Sequence, residues 1–183
     1  MLNPNIVMQC GKIVFDWALL SDIAFARASK RMPSLVSSQL SLEVMRAARD
    51  AGQSLTLFKA LRLCRQLSCT NPRDRVYGML GIASDEAKTH IKVEYTRSVE
   101  DIYTDAALAV LLTDEQPMLL LSNVVCDSTL SLTSWVPDWS LGSVNNPLGA
   151  RKCYKAAGDT HAVFEVPNRD QLRLAGSLVA EVS

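Results

Sequence analysis

The sequence predicts an α+β fold in which a helical middle packs against short antiparallel β elements at both ends. Apolar residues recur at helical spacing in the middle of the chain, most clearly from Val99 to Leu111. Short β-prone runs bounded by turn residues occupy residues 6–17 near one end and 161–182 near the other. The length of 183 residues suits one domain of ordinary size, so we expect a single domain over residues 1–183.

Residues 1–28 are predicted to form a hairpin followed by a helix. Two β-prone runs within residues 6–17 flank a Gly-Lys pair, which is typical of a hairpin turn. The composition of residues 18–29 favours a helix. Residues 29–41 contain five serines and a proline, so we expect a loop there, and it is the best candidate for a mobile segment.

Residues 40–125 are predicted to form the helical middle, with one short strand. A pair of helices is expected over residues 42–51 and 54–67. The second should bury one apolar stripe, made of Leu57, Leu61 and Cys64. Arg65 is among the polar residues expected to face away from this stripe.

A further helix has an explicit start signal. Asn71 can cap it, Pro72 fits the first helical position, and Asp74 stands where the acid of a capping box would. Gly81 can end the helix in the left-handed conformation.

The strand of the helical middle is predicted at residues 91–95, where apolar and polar residues alternate. Ser98 with Asp101 three residues later predicts a second capping arrangement. It opens the clearest helix of the chain, which should stop before Pro117.

The last third of the chain combines a tryptophan-rich loop with a β tail. Residues 131–147 are aromatic, proline-containing and aperiodic, and we interpret them as an ordered, packed loop. Residues 151–183 are predicted to be β, with a turn at 168–170 and strands at 152–157, 161–166 and 171–182.

Composition excludes several classes of protein. Nineteen basic residues balance nineteen acidic ones, which argues against nucleic acid or an anionic membrane as a partner. Apolar runs are far shorter than the roughly 20 residues that span a bilayer. The N-terminus does not resemble a signal peptide, and the five scattered cysteines suggest reduced thiols. We therefore expect a cytoplasmic protein.

A search for catalytic chemistry is almost empty. Neither His90 nor His161 has a cysteine or histidine at metal-ligand spacing, so no metal site is predicted. Cys153 and His161 could be drawn as a nucleophile and its base, but a buried thiol and a surface histidine explain them more simply. Glycine-rich phosphate loops and nucleophile elbows are absent from the sequence. We predict no catalytic residue and no cofactor.

Two features admit both a structural and a functional interpretation. Arg73 and Arg75 stand at a helix start, where positive charge is disfavoured, so they should pair with internal carboxylates or meet an anionic ligand. The indoles of Trp135 and Trp139 should be buried as a staple, with Asp138 accepting backbone or indole N–H bonds. The alternative is an exposed aromatic platform.

Three collinear segments resemble the fungal heterokaryon-incompatibility (HET) family. They are TNPRDRVYGMLGIAS (70–84), IKVEYTRSVEDIYTDAALAVL (91–111) and LTSWVPDWS (132–140). Family members typically carry "DPRDRVYALLGLA", "VDYSKSVEEVYTDAA" and "LPSWVPDWS" in this order and at similar spacing. The "YxALSYxWG", "DAICINQ" and "RxWxxQE"-like motifs of the family's N-terminal module do not occur in this sequence and would lie before Met1. The resemblance thus suggests a truncated or partial chain.

The resemblance implies a part in fungal non-self recognition and the programmed cell death that follows it. Any TIR-like, NAD-processing activity would belong to the N-terminal module, so the expected role here is a non-catalytic structural or interaction module. Its expected partners are proteins, either that module or other incompatibility factors. The alternative is a nucleotide- or anion-binding signalling enzyme fragment that uses Arg73 and Arg75. The residues of interest are the polar and aromatic positions of the matching segments: Arg73, Asp74, Arg75, Tyr77, Tyr95, Tyr103, Trp135, Pro137, Asp138 and Trp139.

Overall fold

Helices occupy the middle of the chain, and a two-stranded hairpin lies towards each end. The structure is a computed structural model that describes residues 7–17, 19, 22, 37–65, 67–113, 119–125, 127–142 and 163–176. This arrangement confirms the predicted α+β class.

The N-terminal hairpin forms where the sequence predicted it. Strand β1 (Val7–Cys10) pairs antiparallel with β2 (Ile13–Asp16). Gly11 takes a φ of +62° in the turn between them, a conformation that glycine adopts without steric cost. The helix predicted over residues 18–29 falls almost wholly outside the described residues.

The first two helices correct the predicted boundaries. Helix α1 is Ser37–Asp50, so the expected loop is wrong from residue 37 onward, and residues 29–36 lie outside the described part. Met45 of α1 is buried, which shows that packing outweighs the local preference of the serines. Helix α2 is Leu57–Cys64, shorter than predicted at both ends, and Thr56 caps it by accepting a bond from Lys59 N at 3.3 Å.

Helix α3 (Asp74–Leu80) begins later than predicted. Asn71 and Pro72 form a turn before it, in which Asn71 Oδ1 accepts a bond from Arg73 N at 3.1 Å. Gly81 has a φ of −63°, so the expected left-handed ending is wrong. The helix instead ends in a tight turn, in which Ile82 N and Ala83 N both donate to Met79 O.

Two more helices follow, and the strand predicted between them is absent. Helix α4 is Asp85–Thr89 and α5 is Val99–Thr113. Residues 91–95 pair with no strand among the described residues. The Tyr77 hydroxyl instead donates to Glu94 O at 2.9 Å and accepts from Glu94 N at 3.0 Å, so a side chain supplies the bonds that a neighbouring strand would have made.

The C-terminal hairpin confirms the predicted turn at residues 168–170. Strand β3 (Phe164–Asn168) pairs antiparallel with β4 (Gln171–Leu174), with a bulge between Glu165 and Asn168. A 3₁₀ turn (Leu121–Asn123) lies between α5 and this hairpin. The strand predicted over residues 152–157 lies outside the described residues, as does most of the 171–182 strand beyond β4.

Helix α5 is the centre of the hydrophobic core. Ile102, Ala106 and Val110 are fully buried on it, and α2, α3 and α4 each contact it. Small alanines along α5 allow the neighbouring helices to approach closely. Within the described ranges, no helix combines the length and apolar character needed to cross a bilayer.

Candidate functional site

The first two segments of the HET resemblance are joined through tyrosine hydroxyls. Tyr95 OH donates to Asp74 Oδ1 at 2.6 Å, and this bond raises the pKa of Tyr95. The ring of Tyr95 meets that of Tyr77 edge to face, with centroids 5.2 Å apart. Tyr103 is buried on α5, donates to Pro72 O at 3.1 Å, and has its pKa raised by burial. Asp74 therefore holds a loop and does not act in the predicted capping box.

Arg73 and Arg75 donate to main-chain carbonyls, so the prediction that they pair with internal carboxylates is wrong. Arg73 Nε donates to Arg97 O at 2.8 Å. Arg75 Nη1 donates to Cys64 O at 3.1 Å and to Arg65 O at 3.3 Å. Those two carbonyls end α2, where positive charge is favoured by the helix dipole. Arg75 lies in the first turn of α3, and its guanidinium bonds the carbonyls at the end of α2.

The tryptophan-rich loop is a buried staple, as predicted, and not an exposed platform. Trp139 is 1% exposed, and Trp135 and Pro137 are also buried. Asp138 accepts bonds from Ser140 N at 2.8 Å and from the hydroxyls of Ser128 and Ser140. Of the two predicted kinds of donor to Asp138, a backbone N–H is the one observed, and both indole nitrogens are buried without an acceptor among the described residues.

Arg65 is the residue that sequence analysis placed wrongly. It follows the last residue of α2, is 4% exposed, and stacks over Trp139 with 5.1 Å between guanidinium carbon and ring centroid. Its Nη2 donates to Asn123 O at 3.1 Å and to Asp138 O at 3.3 Å. Burial lowers the pKa of Arg65 to about 10, and the negative charge of Asp138 partly opposes this shift.

The sequence did contain a signal for the burial of Arg65. Residue 65 lies seven positions after Phe58 and four after Leu61, and both of these residues are buried on α2. The arginine therefore continues the apolar stripe.

A second ionic cluster fixes α5 to the elements around it. Asp105, only 12% exposed, pairs with Arg97 at 2.5 Å and with Arg169 at 2.7 Å. The bond to Asp105 raises the pKa of Arg97. At the start of the helix, Ser98 Oγ accepts from Asp101 N at 3.0 Å and donates to its carboxylate, which confirms the predicted cap.

These residues form an internal framework that joins the three resembling segments. Four of the motif side chains form hydrogen bonds with main-chain groups: Arg73, Arg75, Tyr77 and Tyr103. The described residues hold no group of histidine, cysteine and acidic side chains that could bind a metal ion. Cys153 and His161, the pair considered as a nucleophile and base, lie outside those residues.

Neither Arg73 nor Arg75 lines any of three clefts on the described surface. One of about 570 Å³ lies beside Trp135 and β4. Another of about 360 Å³ lies between α1 and the loop after α3. The third, of about 340 Å³, lies against α1 near Trp17, whose ring is stacked by Arg46 and whose indole donates to Glu43.

Comparison with known proteins leaves the family assignment to the sequence segments. Models of protein families, curated protein sequences and solved structures were each compared with this chain, and none of the three comparisons gave a match.

Proposed function

We propose that this chain is a non-catalytic structural or interaction part of a HET-family protein, acting in fungal non-self recognition and the associated programmed cell death. Its setting in this proposal is the cytoplasm. Its partners are proteins, either a HET N-terminal module or other incompatibility factors.

The observation that carries this proposal is that the motif side chains bond to one another and to the main chain. Asp74 and Tyr77 of the first segment bond to Tyr95 and Glu94 of the second. The buried staple of the third segment packs in the same core. A motif used in this way specifies a scaffold, because side chains that act on a ligand need free polar atoms facing a cleft.

The competing function is binding of a nucleotide or another anion at Arg73 and Arg75. The carbonyl bonds of both guanidinium groups weigh against it, since an anion would have to displace them. Arg75 Nε has no acceptor among the described residues, but it is buried, so an incoming phosphate could not reach it without local opening.

Thermal melting with and without NAD separates the two functions. The purified chain should first elute as one species and melt cooperatively. If NAD bound with a Kd one hundredth of its concentration, the chain would gain about 2.7 kcal/mol, which raises the midpoint by roughly 5–10 °C. We expect no shift.

A midpoint raised by NAD in the wild type, and not in the Arg73→Gln variant, would overturn the proposal in favour of nucleotide binding. The matched control is Arg62→Gln, because Arg62 is exposed and its guanidinium only covers the ring of Phe58. Aggregation without a cooperative melt would also contradict the proposal, because an interaction module must fold.

The proposed protein partner can be tested directly. A tagged chain co-expressed with a HET N-terminal module should retain that module through purification. Loss of the module under the same conditions that keep the tagged chain folded would contradict this partner.

A further inference from the structure

The 570 Å³ cleft lies along the open edge of β4. One wall is β4 with the turn before it, residues 170–174. The other wall consists of Leu121, Val124, Ser134 and Trp135. No residue of β3, all of which the structure describes, lines this cleft. The cleft is therefore on the side of β4 that faces away from its partner strand.

Two main-chain groups of β4, the N–H and C=O of Leu174, have no partner among the described residues and point towards this side. Ala175 N donates to Val163 O at 3.0 Å, and Leu174 lies opposite Phe164 in the register. Bonded and non-bonded pairs alternate in an antiparallel ladder, so the N–H and C=O of Leu174 point away from β3. The opposite edge of the hairpin is less suited to pairing because β3 contains Pro167, which has no N–H to donate.

The wall across the cleft holds a donor without an acceptor. Trp135 is 5% exposed, and its Nε1 is buried with no partner among the described residues. A buried indole N–H normally finds an acceptor. Because this Nε1 is itself buried, a main-chain carbonyl entering the cleft would reach it only with local opening of the wall, so the indole adds to binding less than the open main chain of β4 does.

The hairpin that forms this edge is held in place, so the cleft exists before anything enters it. Arg169 in the turn pairs with Asp105 at 2.7 Å and donates to Asp101 O at 3.2 Å. Phe164 and Leu172 pack against the core from the two strands. A two-stranded sheet is only marginally stable by itself, and a third strand would improve it.

Among the described residues, the cleft has one acidic lining residue, Asp170 in the turn, and one basic lining residue, Arg173 on β4, so the position of Arg173 indicates where an added strand should carry an acid. Arg173 lies on β4 and contacts Glu165 of β3 at 3.4 Å, and both side chains are about two-thirds exposed. An acidic side chain directly opposite Arg173 on an added strand would contact the guanidinium from its other side. The residues before and after that acid would lie on the same face as Leu172, so apolar side chains are favoured at those two positions.

We propose that this cleft binds an extended segment of a protein partner, which adds to β4 as a third strand and alternates acidic and apolar side chains. The inference rests on the proposed function as an interaction module and names its surface. Main-chain bonds to Leu174 provide affinity, and the pairing with Arg173 provides preference for acidic partners.

Fluorescence polarisation with two labelled heptapeptides tests the proposal. One peptide alternates valine with glutamate, and the other alternates valine with lysine. The wild-type chain should bind the glutamate peptide roughly threefold to tenfold more tightly than the lysine peptide. Arg173→Glu should invert that preference, and because this residue is exposed the variant should fold normally.

Leu174→Pro tests the main-chain bonds. It removes an N–H that points away from β3, so the ladder is kept while binding should fall at least about tenfold. Leu174→Val is the matched control and should bind like the wild type, because Leu174 is 50% exposed. If the proline variant fails to melt cooperatively, Arg173→Glu decides the question alone.

Equal binding of both peptides by the wild type and Arg173→Glu, or undiminished binding by a folded Leu174→Pro variant, would overturn the inference. So would failure of the folded wild-type chain to bind either peptide. A chain that melts cooperatively, ignores NAD and binds neither peptide would refute this surface and leave the non-catalytic role intact.

Discussion

Replacing Arg65 by methionine and Asp138 by asparagine, singly and together, measures how strongly two buried charges depend on each other. The two residues are 4% and 1% exposed. Methionine keeps much of the volume of the arginine side chain and removes its charge. Asparagine keeps an oxygen that can accept the bonds from Ser140 and removes the charge of the aspartate.

The structure sets the size of each effect. A pKa lowered from 12.5 to about 10 corresponds to a burial penalty of about 3 kcal/mol for Arg65 at neutral pH. Arg65→Met removes that penalty but also loses two bonds worth about 1.5–3 kcal/mol each and a ring contact worth about 1 kcal/mol. The net loss of stability should be roughly 1–4 kcal/mol. Asp138→Asn should cost about 2 kcal/mol, most of it the lost attraction to Arg65, whose pKa would be lower still without the negative charge of Asp138.

Urea denaturation of the wild type, both single variants and the double variant closes the cycle. Arg65→Met should cost about 2 kcal/mol less in the asparagine background than in the wild type, because the attraction to Asp138 is already lost there. High salt should change this coupling little, since both groups are buried. If the double variant loses the sum of the two single losses to within about 0.5 kcal/mol, the two charges do not interact and the reasoning is refuted.

Three further predictions concern stability. Burial raises the pKa of Cys64 from 9.0 to about 12, so the folded state keeps a proton that the unfolded chain loses. Between pH 9 and about 12 this group should therefore lower stability by about 1.4 kcal/mol per pH unit. In urea titrations at about pH 9–10 under reducing conditions Cys64→Ala should lack this contribution, and equal slopes for the variant and the wild type would contradict the assignment. Tyr77→Phe loses two hydrogen bonds and should lower the free energy of unfolding by about 2 kcal/mol. Tyr95→Phe loses one exposed hydrogen bond and should lower it by less than about 1 kcal/mol. Equal losses in urea denaturation would mean that the bonds of Tyr77 are not formed in solution. Asp105→Asn breaks its ion pairs, including that with Arg97, and should lower the melting midpoint by roughly 2–6 °C; an unchanged midpoint would show that the cluster is not stabilising.

Sequence predicted those parts of the fold whose bonding partners lie within a few residues. The paired residues of the hairpin at Gly11 are three to nine positions apart, and the cap formed by Ser98 with Asp101 spans three positions. The burial of Trp135 and Trp139 was predictable for a different reason, since exposing two indoles to water is costly. Each of these inferences needs only local geometry or a transfer free energy.

Prediction failed where a bond spans a large separation along the chain. Arg65 meets carbonyls 58 and 73 residues away, so its local charged neighbours gave the wrong orientation. The supposed strand at residues 91–95 failed in a similar way, because a tyrosine hydroxyl 17 residues earlier bonds the main chain of Glu94. The alternation also predicted burial wrongly, since Val93 and Tyr95 are 55% and 54% exposed, and the pairing partner of such a segment depends on tertiary structure.

Arg75 shows why an unfavourable local position need not indicate a ligand. Positive charge at the start of α3 is disfavoured by that helix, and this was the reason to suspect an anion site. The guanidinium reaches the last carbonyls of α2, at Cys64 and Arg65, where the same charge is favoured. The dipole of one helix therefore compensates the cost imposed by the other, and no bound anion is needed to explain the residue. The electrostatic energy of such an arginine depends on the helix end that its guanidinium contacts more than on the position of its own residue in a helix.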